Sequence, residues 1–195
     1  ILNLIIRQES FQTAFMYIAF AILGRPYMGV GRNLGIRRDV IDKKFFYSAS
    51  TLSGDDDLLV NAYANNSNTR ICIHPKAQMH SKAKSTWKDF IQQKKRHSQA
   101  GHYYKWKDRI LLAYIYLLQL LFYLSGLTIC LLFSNNIALI IIFISALLIN
   151  LLLLYNINKK LKFKLGLSEL FWGDFCISFF LISLGILSAK QVKKW

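Results

Sequence analysis

The stretch that decides the fold runs from residue 110 to residue 133 and reads ILLAYIYLLQLLFYLSGLTICLLF. It holds no charged side chain, and a helix needs about 20 apolar residues to cross the hydrocarbon core of a bilayer. A second uncharged stretch runs from 137 to 155, and only Ser134, Asn135 and Asn136 separate the two. A connection this short joins antiparallel helices. The sequence therefore predicts a helical hairpin that spans a membrane.

A third apolar stretch, from 170 to 189, is also long enough to span. It contains Asp174 close to its start and Gly185 near its end, so we expect either a span or a helix lying partly in the bilayer interface. The second half of the chain is thus predicted to be an all-α transmembrane region of two to three helices, at about 110–133, 137–155 and 170–189.

The composition changes near Arg109. The 195 residues are 54% hydrophobic with a formal net charge of +15, an odd mixture for one soluble domain. Residues 1–109 carry a net charge of +10, whereas residues 110–195 carry +5 and are mostly apolar. We therefore expect a cytoplasmic region over 1–109, followed by the transmembrane region over 110–195.

The positions of the positive charges predict the orientation, because loops rich in Lys and Arg stay on the cytoplasmic side. Lys105, Lys107 and Arg109 precede the first span, and four lysines between 159 and 164 follow the second. One hairpin places both clusters in the cytoplasm, so we expect a multi-pass protein of the cell (inner) membrane. A third full span would carry the three lysines after residue 189 outside, against this rule, and the number of spans stays open.

The ends and the cysteines give two further expectations. The chain opens at Ile1 in an apolar run, with no secretory signal, so we expect a fragment whose beginning is missing. The three cysteines are odd in number and far apart, which is typical of a reducing compartment rather than of a disulfide framework.

Apolar periodicity and breakers predict the elements of the first half. Ser10–Leu23 is predicted to be an amphipathic helix that begins at Ser10 and is ended by Gly24. Asp57–Ala64 is expected to be helical, and the alternating Thr69–His74 to be a strand. Thr86–Gln99 is the clearest helix, because apolar residues recur on one of its faces at helical spacing.

Three consecutive carboxylates, Asp55, Asp56 and Asp57, follow Gly54 in the segment that begins at Ser53. Crowded carboxylates raise one another's pKa, which suits a general base that takes a proton from a sugar hydroxyl near neutral pH. The alternative is an acidic start to the following helix, where the helix dipole favours negative charge. The residues alone leave both interpretations open.

The Gly-rich segment Gly29–Leu34 could let a ligand approach the backbone at Gly31, with Arg32 and Asn33 available for phosphate or hydroxyl contacts. It lacks the third glycine of a dinucleotide fingerprint and the lysine of a phosphate-binding loop. A plain tight turn is an equally good interpretation.

Gln93, Arg96 and His97 are spaced to share one face of the helix predicted over Thr86–Gln99. An amide and a guanidinium on one face can hold pyrophosphate oxygens and stabilise a departing nucleotide diphosphate. The alternative is a solvated basic face, which charge runs usually form. The four histidines show no metal-ligand spacing, so zinc is disfavoured and no metal ligand is predicted in this chain.

Taken in order, Gly29–Leu34, Gly54–Leu58, Gln93–His97 and the apolar helices resemble the C-terminal half of a membrane-bound family 2 glycosyltransferase. Cellulose and hyaluronan synthases carry a similar acidic motif, then a Gln-x-x-Arg-Trp motif before their membrane helices. The resemblance covers about residues 10–109 and the arrangement of the tail. It implies that 1–109 is an α/β fragment, the C-terminal part of a GT-A glycosyltransferase domain.

The resemblance also implies roles for the site residues. Asp56 looks like the catalytic base, with Asp55 as its catalytic neighbour, and Gln93 with Arg96 looks like the pair that binds the diphosphate. Substrate-binding roles are further expected for the four remaining candidates, Gly31, Asn33, Asp57 and His97. His97 stands where the family motif often has Trp, which favours a smaller lipid or glycan acceptor over a processive polysaccharide.

The family's first half, with its Asp-x-Asp metal motif, has no counterpart in this sequence. We therefore expect an enzyme dependent on Mg²⁺ or Mn²⁺ whose metal ligands lie in the missing half, and a fragment that is inactive alone. The expected partners are a nucleotide-sugar donor, a glycan or lipid-linked acceptor and the lipid bilayer, with no nucleic acid.

The expected function is sugar transfer by a membrane-bound enzyme that inverts the donor's anomeric carbon. The alternative is a non-enzymatic basic adaptor that binds anionic lipid or nucleic acid, as the charge of +15 would permit. The acidic triplet argues against that alternative, because three carboxylates repel phosphate.

Overall fold

The computed structural model describes residues 1–40 and 54–189. Ser53 and the three C-terminal lysines used in the orientation argument lie outside these residues. Six α-helices make up most of the described chain, and short 3-10 turns occur at 31–33, 38–40 and 75–77. The helices are α1 (Leu2–Ile22), α2 (Asp55–Tyr63), α3 (Trp87–Gly101), α4 (Trp106–Leu132), α5 (Ile137–Leu161) and α6 (Leu167–Ala189).

The predicted α/β character of the first half is wrong, because residues 1–40 and 54–189 contain no strand. The segment Thr69–His74, expected to be a strand, has no regular structure. Its alternation has another cause: Ile71 and Ile73 are half-buried while Cys72 and His74 are exposed, and Ile73 packs against the buried cluster around Phe11. An extended segment lying on helices produces the same period of two as a strand in a sheet.

The first helix begins at Leu2 rather than at the predicted Ser10, although it ends as expected before Gly24, whose φ is +77°. The earlier start follows from packing, since Ile5 belongs to a buried cluster with Phe90 and Ile177. The helix is also not amphipathic in the expected sense. Its buried residues include Gln8, Glu9 and Gln12 among apolar neighbours, so polar and apolar side chains are not segregated onto two faces.

The third helix confirms the prediction over Thr86–Gln99 to within two residues at its C-terminal end. Thr86 caps it: its hydroxyl oxygen accepts a hydrogen bond from the Asp89 amide at 3.1 Å, and the hydroxyl donates to the Asp89 carboxylate at 2.8 Å. This cap satisfies the Asp89 amide, one of the groups at a helix start that have no partner inside the helix. Phe90 is fully buried and stacks on Phe180 of α6, with ring centroids 5.7 Å apart.

The predicted hairpin is present as α4 and α5, and both helices are long and apolar enough to cross a membrane. Only 11% and 6% of their most apolar windows are buried, so they do not resemble the core helices of a soluble domain. Asn136 begins α5 by accepting a hydrogen bond from the Leu139 amide at 3.2 Å. Two such helices give weak evidence of membrane association.

The helix α6 joins the rest of the structure, because α1, α3, α4 and α5 all pack against it. The first half of α6 carries Asp174, which is only 5% exposed. The Asp174 carboxylate accepts hydrogen bonds from Gln119 at 2.8 Å, Tyr123 at 2.5 Å and Asn150 at 3.1 Å. Gln119 in turn accepts a hydrogen bond from Gln12 of α1 at 2.8 Å. We call these five side chains the polar seam.

Gly126 of α4 allows the close approach of α5. A Cβ atom at this position would lie 2.1 Å from Cζ of Phe143, so the ring would have to move. We predict that Gly126→Ala destabilises the chain by about 1–3 kcal/mol, as overpacking usually does. Thermal unfolding in detergent measures this. Phe143→Leu in the same chain should restore most of the loss, and an unchanged stability of the single variant would contradict the packing.

Candidate active site

The acidic triplet forms the first turn of α2, so the helix-start interpretation is confirmed. Gly54 precedes the helix in the left-handed conformation, with φ of 88°, which glycine adopts without steric cost. The partial positive charge of the helix N-terminus stabilises nearby carboxylates. Asp55 is exposed, Asp56 is half-buried and Asp57 is only 6% exposed. The three acids therefore have different environments, and two of them remain accessible to a ligand.

The Gly-rich loop lies directly against this turn. The Gly31 amide donates a hydrogen bond to Oδ2 of Asp56 at 2.6 Å. A Cβ atom at Gly31 would lie 2.9 Å from the same oxygen, so a larger residue would push the carboxylate away. The two motifs thus form one site, although the Gly31 amide is directed at a protein carboxylate. Asn33 is the last residue of the short 3-10 turn that begins at Gly31. Its side chain is exposed and borders a cavity of about 240 Å³.

Asp57 points into the protein and is held by its neighbours. Its carboxylate accepts hydrogen bonds from the Tyr104 hydroxyl and the Gly29 amide. Burial, followed by the negative charge of Asp56, raises the pKa of Asp57 to about 7. Burial beside the same carboxylate raises the pKa of Tyr104 as well. In this position Asp57 fixes the Gly29 loop against α2.

A second buried group, which the sequence motifs did not reveal, lies one turn further along α2. Asn61 donates to the Tyr27 carbonyl at 3.2 Å and to the Asp108 carboxylate at 3.0 Å, and it accepts from the Lys105 amide at 2.8 Å. The side chain of Asn61 therefore joins α2 to the loop before Gly29 and to the start of α4. Its only signal in the sequence is its position four residues after Asp57, on the same helix face.

The helix α3 crosses the start of α2. A Cβ atom at Gly54 would lie 2.4 Å from Cβ of Ala100, so glycine is required where these helices meet. Arg96 and Gln93 precede Ala100 by four and seven residues, which places them on the same face of α3. Neither side chain has a hydrogen-bond or ion-pair partner among the described residues, so both remain available to a ligand.

His97 lies within electrostatic range of the acidic turn. Its pKa is lowered by desolvation first, and then by the positive charges of Lys94 and Arg96. The carboxylates of Asp56 and Glu9 act in the opposite direction. The structure thus brings His97 near Asp56, together with Gly31, Asp55 and Asp57.

Glu9 of α1 holds α3 in place through an ion pair. Its Oε2 pairs with the Lys94 ammonium at 2.5 Å, and the side chains of Glu9 and Lys94 are 8% and 17% exposed. Lys94 also lies over the Phe90 ring, 5.7 Å from the centroid. Lys94 is therefore not part of a fully solvated basic face. The sequence interpretation missed Glu9 because it placed Arg7, Gln8 and Glu9 upstream of the first helix.

The described residues do not provide a complete metal site. They contain no group of three His, Cys, Asp or Glu side chains arranged to hold an ion. Asp57 uses its oxygens on Tyr104 and Gly29, which leaves Asp55 and Asp56 as the accessible carboxylates of the triplet. The described residues therefore identify no set of ligands for a cation, and the expectation of Mg²⁺ or Mn²⁺ with ligands elsewhere stays a prediction.

The acidic helix start and the glycine loop are thus in contact, and α3, which carries the unpaired Gln93 and Arg96, meets α2 at Gly54 and Ala100. The family model described as "Glycosyl transferase family group 2" matches residues 3–157, well over half of the chain. The chain belongs to this family. The match includes α4 and most of α5, so the apolar hairpin lies within the matched region. No curated protein and no solved structure matches the chain.

The family identifies a glycosyltransferase, and it implies a nucleotide-sugar donor and an acceptor in general terms. The predicted similarity to cellulose and hyaluronan synthases, and the predicted fragment status, stay predictions.

The raised pKa of Asp57 predicts a pH-dependent stability. A carboxyl whose pKa is about 7 when folded and near 4 when unfolded binds more protons in the folded state, so stability falls as pH rises between these values. We expect the free energy of unfolding to drop by about 2 kcal/mol from pH 5 to pH 7 through this group. Asp57→Asn should remove that part of the pH dependence. Thermal unfolding of both chains across this range is the measurement, and parallel pH profiles would contradict the burial argument.

The pair of Glu9 and Lys94 gives a second prediction. Glu9→Gln leaves a largely buried ammonium without its partner, which should destabilise the chain by about 3 kcal/mol. The double variant Glu9→Gln, Lys94→Met removes both charges and should recover most of the loss. Unfolding midpoints of the two single variants and the double variant form the cycle. Purely additive effects would show that the two side chains do not interact.

Proposed function

We propose that this chain carries the acceptor-activating part of a membrane-bound glycosyltransferase. The enzyme moves a sugar from a nucleotide-sugar donor to a glycan or lipid-linked acceptor and inverts the anomeric carbon. The observation that carries the proposal is the convergence of three separate motifs, because Gly31 binds Asp56 and His97 lies within electrostatic range of the same carboxylate. The three motifs are far apart in sequence. The face of α3 that carries His97 also carries Gln93 and Arg96, and the packing of the helix does not require polar, unpaired side chains at these two positions.

Asp56 is the proposed general base. It lies in the first turn of a helix and accepts one backbone hydrogen bond, so the rest of its carboxylate can face an acceptor hydroxyl. The hydroxyl oxygen attacks the anomeric carbon of the donor and forms the new C–O bond, while Asp56 takes the hydroxyl proton. The bond between that carbon and the diphosphate breaks, and its electron pair leaves with the diphosphate oxygen. The single displacement inverts the carbon.

Gln93 and Arg96 are the proposed diphosphate-binding pair. A guanidinium binds phosphate oxygens through two parallel hydrogen bonds, and it stabilises the charge that develops as the bond breaks. Both side chains lie on the face of α3 that leads to Ala100, above the acidic turn. Lys94, by contrast, is occupied by Glu9 and orients the helix.

His97, Asn33 and Asp55 are proposed to contact the acceptor. Their side chains are exposed, and His97 and Asp55 border the carboxylate of Asp56. An imidazole is smaller than the indole that the related motif often carries, so the site favours a small glycan or a lipid-linked sugar over a long polymer.

The apolar hairpin is proposed to hold this site at the cytoplasmic surface of the cell membrane. Most of the α4 and α5 surface is apolar and exposed, which a bilayer would cover. The basic residues at the start of α4 and after α5 lie at the same end of the hairpin and favour the cytoplasmic side.

Asp56→Asn should abolish transfer in the complete, membrane-reconstituted enzyme, with turnover lowered at least a hundredfold, because the base contributes about 10²–10⁴ in rate. Donor binding, measured by titration with the nucleotide sugar, should remain nearly unchanged. Asp55→Asn is the matched control, since it removes the adjacent carboxylate and should reduce the rate less. Retained turnover in Asp56→Asn would overturn the assignment of the base, and loss of donor binding would move Asp56 to a binding role.

A further inference from the structure

The connection between α5 and α6 carries four lysines within six residues: Lys159, Lys160, Lys162 and Lys164. We call residues 159–166 the cationic turn. All four lysine side chains are exposed. The described ion pairs of the chain include none of them, and Lys159 is further placed over the Tyr155 ring at 5.2 Å.

The backbone of the cationic turn adopts a conformation that disfavours lysine. Lys162 and Lys164 have φ values of 58° and 56°, and they are the described residues other than glycine with positive φ. Side chains with a Cβ rarely adopt this region, whereas glycine does so readily. Two lysines at such positions cost stability that two glycines would not.

Side chains other than the four lysines hold the backbone of the turn in this conformation. Asn158 donates to the Leu165 carbonyl at 2.8 Å and accepts from the Leu165 amide at 3.1 Å. Arg7 of α1 donates to the Lys164 carbonyl at 3.0 Å, and Gln78 donates to the Leu161 carbonyl at 2.7 Å. The turn is therefore held by residues other than its lysines, whose ammonium groups make no contribution to its shape.

The favourable interaction of cations with a helix C-terminus explains two of the four lysines. Lys159 and Lys160 lie in the last turn of α5, where a cation interacts favourably with the helix dipole. Lys162 and Lys164 lie beyond the helix, because α5 ends at Leu161. Their ammonium groups have no ion-pair partner among the described residues and are free to bind an anion.

We propose that the cationic turn binds the phosphate of a lipid headgroup at the surface of the bilayer. The turn follows α5 and therefore lies at the same end of the hairpin as the start of α4. In the proposed placement this end lies at the membrane surface. Lysines close to a membrane surface attract anionic lipids, each by about fivefold in affinity. The proposal rests on the membrane placement given under Proposed function, and it is independent of the transfer reaction.

The test uses Lys162→Gly, Lys164→Gly in the full chain, purified in non-ionic detergent. Glycine suits both backbone positions, so this variant should unfold at the same temperature as the wild type or higher. Lys162→Asn, Lys164→Asn removes the same charge with another residue that tolerates this conformation. The matched control, Lys84→Gln, Lys88→Gln, removes two exposed lysines elsewhere.

Binding of short-chain phosphatidylglycerol and phosphatidylcholine is measured by native mass spectrometry. We expect the glycine and asparagine variants to bind phosphatidylglycerol about 30-fold more weakly than the wild type, with phosphatidylcholine unaffected and the control within about threefold. Equal binding by wild type and both variants would overturn the proposal, and so would an equal loss in the control.

A second titration distinguishes the two sources of the phosphate. A short polyprenyl phosphate replaces phosphatidylglycerol in the same four chains. Tighter binding of the polyprenyl phosphate, lost in the variants, assigns the turn to a lipid-linked substrate. Equal affinity for both lipids assigns it to the bulk anionic membrane. No nucleotide sugar is present in either titration, so a failure of sugar transfer leaves the result unchanged.

Discussion

The carboxylate of Asp174, buried between apolar helices, is the interaction on which the arrangement of this chain depends. A buried carboxylate needs hydrogen-bond donors, and α4 and α5 provide three of them. Apolar packing between helices of similar composition does not by itself fix their register, whereas a set of matched donors and acceptors does. Gln12 extends the same network to α1. The network thus aligns α1, α4, α5 and α6 by polar contacts.

The sequence revealed the features that local patterns control. The uncharged stretches predicted the hairpin, and the apolar face around Phe90 predicted α3 to within two residues. The acidic triplet, the glycine loop and the face with His97 were also visible, because each is a compact motif. Their meeting at Asp56 depends on the crossing of α2 and α3 at Gly54 and Ala100, which no local pattern encodes.

The errors have a shared physical cause. An alternating segment was interpreted as a strand, but Ile73 is buried against helices rather than in a sheet. Polar residues were interpreted as the upstream flank of α1, but Gln8 and Glu9 are buried inside it. In each case a tertiary neighbour decided the outcome. The partners are distant in sequence, as with Glu9 and Lys94, so a window along the chain contains only half of the evidence.

The position of α1 has a mechanical consequence. This helix is bonded to α3 through Glu9 and Lys94, to α4 through Gln12 and Gln119, and to α6 through Arg7 and Glu169. A bilayer that is thinner or thicker than the hairpin changes the tilt of spanning helices. In the proposed membrane placement, a tilt of α4 would pull on α1, and α1 would in turn displace the helix that carries Gln93 and Arg96. The geometry of the site would then be coupled to the thickness of the surrounding bilayer.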